Sequence, residues 1–426
     1  MTTKLVRTAI AEGVSLSVLS DAKFKHNRLS VNLIVPLDSR TVTGYALQPL
    51  LLRKGCKSCP DFTELNRRLD ALYGAALMTE VSKCGASQVI TVGINSVDDR
   101  FTLDSEQLVR DCAQLVRDLL VAPRIENGAF PAADVALEKQ NLIDTIEAEI
   151  NDKRSYALSR CRTVLGGEDP AALRKYGTVE QARAITPESA AKSYQSLLDS
   201  ATVEILFVGP GDVSAAAEIM KKTFAGLPRH AGPFAVPHVV ARAESVREEV
   251  ERLDVAQAKL VLGFRTGEKG DARSQAAMRL MTALYGGTPS SKLFTNVREK
   301  LSLCYYCSAR YDRAGALLFV ESGVEQKNLE RARTEILRQL EEIQNDCFED
   351  ETLENTRLMI KNSLRAVSDS TGALEEWYLN RIIAGSLVSP EEELALLDGV
   401  TRAQVVEAAR AVTLDTVYLL TAKEEL

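Results

Sequence analysis

The chain has 426 residues, 52 Lys+Arg against 59 Asp+Glu for a formal charge of −7, 45% apolar residues and only three histidines. Ordinary apolar content with scattered Pro and Gly excludes disorder, collagen and low complexity, and about 100–200 residues per domain makes two domains the expectation. Basic residues interspersed with acidic ones argue against a phosphate backbone, so no nucleic-acid partner is expected. Met1 to Arg7 leads into alternating residues rather than an apolar signal core, and no apolar run reaches the roughly 18–20 residues of a membrane span, so a soluble cytoplasmic protein with no membrane partner is expected. Apolar alternation at Val14, Leu16 and Val18, a polar break from Asp21 to Arg28, and alternation again at Leu29, Val31, Leu33 and Val35 predict an opening hairpin. Helices follow over 43–52 and 61–72, the second with Leu65, Leu69 and Leu72 on one stripe and Tyr73-Gly74 as its stop. Residues 81–92 read as a strand pair or one long strand. Residues 105–121 read as a helix with Leu108, Cys112, Leu115, Val116 and Leu119 on its apolar face, ahead of one long helix over 132–155 and another over 155–165. Thr186-Pro187-Glu188 is a cap with proline in the first turn of a helix to Leu198, and 203–208 is a short buried strand.

The second half repeats this order. Leu353-Glu354 answers Leu137-Glu138, Pro390 answers Pro170, and Thr401 answers Thr186, at offsets of 216, 220 and 215. Three offsets so similar indicate an internal duplication. The stretch 228–244, with Pro228, Pro233 and Pro237 and little periodicity, is the natural linker, which divides the chain into a domain over 1–228, a linker over 229–247 and a domain over 248–426. Strands followed by helices, without strict βαβ alternation, predict an α+β fold. Two homologous domains are expected, each a mostly antiparallel sheet covered by helices, facing one another across a cleft that would be the default binding site.

The most specific string is Tyr285-Gly-Gly-Thr-Pro-Ser-Ser-Lys-Leu-Phe294 followed by Asn296-Val-Arg-Glu-Lys-Leu-Ser-Leu-Cys-Tyr305. A Gly-Gly turn, a Ser pair capping a helix, an arginine at its far end and a tyrosine on the next strand would bring a guanidinium and a phenol close together. A helix cap with an Arg–Glu surface pair accounts for the same spacing, and Gly286-Gly287-Thr288 lacks the spacing of a phosphate loop. The eight cysteines are too dilute for a disulfide scaffold. Two CxxC pairs, Cys56-Lys-Ser-Cys59 and Cys304-Tyr-Tyr-Cys307, lie too far apart for a zinc ribbon. Residues three apart on a strand should moreover point to opposite faces, which argues against shared metal or redox chemistry at Cys304 and Cys307.

The string 285–305 resembles the C-terminal-domain signature of the pitrilysin/insulinase metallopeptidases, the inverzincin family that includes the mitochondrial processing peptidase, and the duplication and linker extend that resemblance to the whole chain. In active members of that family HxxEH on a helix binds zinc, a glutamate on a later helix completes the site, and the C-terminal domain supplies an Arg and a Tyr. Aligning the turn after that helix with Lys54-Gly55 places HxxEH on Ala46-Leu47-Gln48-Pro49-Leu50. Both imidazoles then become apolar at Ala46 and Leu50, and the general base becomes Pro49. The third ligand would fall near Leu137, beside Glu138. His26 is expected in a hairpin loop and His230 and His238 in the linker, so no pair is spaced to replace the site.

The resemblance therefore implies a non-catalytic member with no zinc of its own, no catalytic residue in cis and no zinc-dependent proteolysis on its own. It would pair with a zinc-bearing peptidase homologue in a heterodimer, hold a peptide substrate as an added strand, and use Arg298 and Tyr305 either to bind substrate in trans or as part of the fold. In isolation the same surface can form a homodimer. Two other readings stand beside this one: a scaffold subunit with no peptide role, like the family's respiratory-complex core proteins, and an enzyme with a cysteine nucleophile, for which no cysteine has a histidine nearby in sequence.

Overall fold

The computed structural model describes residues 4–236 and 238–423; Pro237 of the expected linker lies outside them. The first sheet contains β1 (Val6–Ala11), β2 (Val14–Ser20), β3 (His26–Pro36), β4 (Ala76–Cys84), β5 (Ser87–Val97) and β6 (Thr202–Gly209), in the order β1-β2-β6-β3-β5-β4. The second contains β7 (Arg247–Leu253), β8 (Ala258–Arg265), β9 (Cys304–Asp312), β10 (Leu317–Val324) and β11 (Thr413–Ala422), in the order β7-β11-β8-β10-β9. In each sheet one neighbouring pair is parallel, β2 with β6 and β7 with β11. The remaining strands follow in the same antiparallel sequence, so the duplication seen in the offsets is a duplication of topology, with β1 as the addition in the first copy. The chain is thus α+β, with two homologous, mostly antiparallel sheets covered by helices.

The expected opening hairpin is corrected. β2 and β3 do not pair, because β6 lies between them, parallel to β2 and antiparallel to β3. Val203, Ile205 and Phe207 on one face of β6 and Leu206 and Val208 on the other are all fully buried, a two-sided apolar strand that is stable only inside a sheet. The local hairpin joins β1 to β2 instead. His26, expected in a loop, opens β3 opposite Val97.

Local chemistry sets several helix starts. Thr186 and Thr401 each form a reciprocal capping box, with Ser189 and Gln404, opening helices Pro187–Ser200 and Arg402–Arg410. The two helices expected over 132–155 and 155–165 are both present, but the boundary falls earlier: Ala132–Ala148 gives way to a 3₁₀ turn, and Asp152 accepts the Arg154 and Ser155 amides to cap the second helix, Lys153–Gly166.

Compactness divides the chain into two interleaved units rather than two consecutive stretches. One comprises Met1–Glu147, Leu173–Val236 and Val367–Ser389; the other comprises Ala148–Ala172, Pro237–Ala366 and Pro390–Leu426. In the first unit, helix Thr371–Ile383 sets Leu374, Tyr378, Leu379 and Ile383 on Leu19, Ile34, Val89, Leu206 and Val208. The other face of that sheet carries the main core, with Val31, Leu33, Ile90, Val92, Ile205 and Phe207 beneath the remaining helices. In the second unit, helix Lys153–Gly166 sets Ala157, Cys161 and Leu165 on Val261, Phe319, Tyr418 and Leu420. Arg247 and Arg265 grip its C-terminal end, donating to the Val164 and Leu165 carbonyls while sharing the buried Asp415 carboxylate.

A second correction concerns the CxxC on β9. Cys307 lies opposite Ser322, Tyr306 opposite Gly323 and Cys304 opposite Val324, so Tyr305 is an extra, bulged residue. Ser322 and Val324 share a face, and so, therefore, do Cys304 and Cys307.

Candidate functional site

In the first unit the aligned metal-site positions fall on helix Val42–Leu52, which is buried along most of its length. Pro49 sits inside this helix and cannot donate to the Tyr45 carbonyl. One residue earlier, the Gln48 side-chain amide donates to the Gly44 carbonyl at 2.8 Å and the Ala190 carbonyl at 3.1 Å, tying the interrupted turn to helix Pro187–Ser200. Ala46, Pro49 and Leu50 line a half-open cavity of about 290 Å³ together with Glu80 and Val81 of β4, Leu142 and Thr145 of helix Ala132–Ala148, and Lys175 and Tyr176. Its lining is mixed, with apolar Ala46, Pro49, Leu50, Val81 and Leu142 set among the polar groups of Thr79, Glu80, Thr145, Lys175 and Tyr176. Lys175 Nζ donates to the Val81 carbonyl at 3.1 Å. β4 is the last strand of its sheet, so no strand pairs with its outer edge among the described residues.

On helix Ala132–Ala148, Leu137 is 52% exposed whereas Glu138 is 4% exposed. Glu138 does not face empty space: the Lys54 ammonium lies 2.5 Å from one carboxylate oxygen, and Asn141 donates to the other at 2.9 Å. Lys54 follows the helix that carries Ala46, Pro49 and Leu50, and its ammonium also lies 5.9 Å from the centroid of the Phe62 ring. A zinc ion does not fit this set. A methyl, a pyrrolidine and an isobutyl group offer no donor atom, and the one buried carboxylate is already paired with a cation. Among the described residues no group of three or more His, Cys, Asp or Glu could hold a metal ion. His230, of the expected linker, pairs with Asp199 at 2.9 Å instead.

In the second unit, the chain after Gly286-Gly287 enters a π-helical segment, Leu293–Lys300, packed beside β9. Gly286 permits that packing: a Cβ there would lie 2.7 Å from the Ala309 amide nitrogen and 2.7 Å from Leu293 Cδ1. Arg298 lies on this segment, its guanidinium 4.5 Å from the centroid of the Phe294 ring and its Nε 3.5 Å from Glu299. Tyr305, on the bulge of β9, is 63% exposed. The two residues are thus on adjacent elements of one unit, but no hydrogen bond joins them among the described residues. The string 285–305 points to Arg298 and Tyr305, and the family resemblance points to Ala46, Pro49, Leu50 and Glu138. The Lys54 partner and the cavity walls from Glu80, Thr145 and Tyr176 were not visible there, because they come from segments remote in sequence.

Residues 184–359 match the family described as "Peptidase M16 inactive domain". The "Probable inactive metalloprotease YmfF" of Bacillus subtilis is 31% identical over 412 residues, covering 97% of this chain and 96% of that protein. A conserved protein from Enterococcus faecalis superposes with a TM-score of 0.91 at 28% identity over 100% of both chains. A protease from Helicobacter pylori superposes with a TM-score of 0.79 at 15% identity, covering 98% of this chain and 99% of its own, a likeness of fold.

Proposed function

Since this chain belongs to the M16 peptidase family as an inactive metalloprotease homologue, we propose that it is the non-zinc subunit of a two-chain peptidase, binding peptide for a zinc-bearing homologue to cut. The observation that carries this reading is the replaced metal site. Where zinc chemistry would sit, the chain has the apolar side chains of Ala46, Pro49 and Leu50 in a cavity that Thr79, Glu80 and Val81 of the edge strand β4 also line. A peptide laid along β4 would gain main-chain hydrogen bonds and could place an apolar side chain in that cavity. Arg298 and Tyr305 carry the donors suited to holding a substrate backbone or the negative charge developing on a carbonyl oxygen in the partner's reaction. The protein would work without zinc, in the cytoplasm.

The test is a binding titration of a fluorescent unfolded peptide, with the chain alone and with a zinc-bearing homologue from the same organism. Saturable binding is expected, weakened at least about 10-fold, or about 1.4 kcal/mol, by Thr145→Trp, which fills the cavity from an exposed position. Cleavage is expected only with the homologue present, and lower with Arg298→Ala. The reading fails if the chain alone binds stoichiometric zinc and cleaves the peptide, or if peptide binding by the pair does not depend on this chain.

A further inference from the structure

Neither the inactive-homologue assignment nor the proposed peptide role uses the Cys304–Cys307 pair, yet the fold builds it with care. On a regular strand two residues three apart diverge. Here the bulge at Tyr305 compresses three residue steps into two strand steps and returns both thiols to one face of the second sheet, the face opposite helix Lys153–Gly166. Both side chains are largely buried, Cys304 at 9% and Cys307 at 4% exposure. The Ser322 hydroxyl, on the neighbouring strand opposite Cys307, donates to the Tyr306 carbonyl at 3.1 Å. Two strand steps correspond to about 6.6 Å between Cα atoms, within the range of about 4.4–6.8 Å that a disulfide spans.

The two thiols are not equivalent. The interaction with Cys307 comes first and the charge of Arg298 adds to it, holding the Cys304 thiol below its ordinary range. The interaction with Cys304, together with burial, pushes the Cys307 thiol well up. A thiol that ionises readily beside one that stays protonated is the arrangement of an attacking and a resolving cysteine.

We propose that Cys304 and Cys307 form a reversible dithiol–disulfide pair, oxidised by exchange with a small-molecule disulfide, and that closing it reshapes the bulge that displays Tyr305. In the first step the Cys304 thiolate attacks one sulfur of the external disulfide RSSR. One S–S bond breaks as another forms, and RS⁻ leaves and takes up the proton that Cys304 released. In the second step Cys307 loses its proton, its sulfur attacks Cys304 Sγ, and the second RS⁻ departs and is protonated. The two cysteines are oxidised by two electrons in all, and RSSR is reduced to two RSH. Tyr305 moves because it is the residue looped out between the two sulfurs. The proposal does not depend on peptide binding.

The experiment treats the full-length reduced protein with oxidised glutathione under nitrogen, followed by acid quench, alkylation, tryptic digestion and mass spectrometry. Cleavage after Lys300 and Arg310 releases Leu301–Arg310, which holds both cysteines and no others. This peptide is expected to become two hydrogens lighter, to escape alkylation, and to return to two alkylated thiols after dithiothreitol. Cys307→Ser is expected to stop at a glutathione adduct on Cys304, whereas Cys304→Ser is expected to react at least about 10-fold more slowly at Cys307. The proposal is overturned if the wild-type peptide keeps two free thiols while Cys56 and Cys59 oxidise, or if it ends as a stable glutathione adduct without closing. A tenfold difference that runs the other way between the two serine variants would overturn the assignment of attacker and resolver.

Discussion

Replacing Lys54 with methionine removes an ammonium while leaving most of the alkyl stem that packs near Phe62. Glu138 would remain 4% exposed, with the Asn141 amide at 2.9 Å as its hydrogen-bond donor. Removing one partner of a buried pair typically costs about 3–5 kcal/mol, because the other charge is left without compensation. The surviving Asn141 hydrogen bond and the 19% exposure of the Lys54 side chain place the expected loss at the lower end, about 3 kcal/mol. Lys54→Met combined with Glu138→Leu removes both charges together and should recover to within about 1 kcal/mol of the parent. The assay is urea unfolding followed by the fluorescence of Trp377, the single tryptophan, which lies on the helix Thr371–Ile383 packed on the first unit's sheet. In thermal unfolding the same loss corresponds to roughly 6–12 °C. A Lys54→Met cost under about 1 kcal/mol would refute the reasoning, as would a double variant that loses the sum of the two single changes.

Other expectations follow from local geometry. Thr186→Ala and Thr401→Ala each remove one capping box and should each lower stability by about 1 kcal/mol, read as a shift in urea midpoint; equal midpoints would show that the boxes contribute nothing. Gly286→Ala forces a methyl against the Ala309 amide and Leu293 and should cost about 1–3 kcal/mol, with Arg298 displaced, whereas an unchanged Tm would mean the packing gives way freely. Burial pushes the Cys161 thiol up to about 12 from 9.0, so the native state keeps a proton that the unfolded chain releases. That contribution is complete below pH 9 and is lost as pH rises toward 12. Between pH 8 and pH 10, Cys161→Ala should therefore lose about 1.4 kcal/mol less stability than the parent, and parallel pH profiles would contradict this.

How far the fold could be read in advance depended on the range of each interaction. The Thr186 and Thr401 caps, the stripe at Leu65 and Leu69 and the apolar run of β6 are set by residues within a turn or a strand of one another. The shared offsets carried the duplication. Asp152 can equally cap a new helix or sit on the exposed face of a continuing one, so the sequence alone does not place the boundary between the two helices there. The bulge at Tyr305 left no trace in composition, and it reversed the inference about which way Cys304 and Cys307 point.

At the candidate site the apolar replacements at Ala46, Pro49 and Leu50 were legible, because absent donor atoms are visible in a sequence once the motif is aligned. Their surroundings were not. An apolar stripe on Lys153–Gly166 or Thr371–Ile383 says that a helix must cover apolar surface, but not which sheet it will cover, and here each helix joins the unit built mainly from the other half of the chain. Likewise nothing near Lys54 announces Glu138, and nothing near β2 announces β6. Backbone conformation answers to neighbours a few residues away. Choice of partner answers to the shape, burial and charge of surfaces that only the folded chain brings together.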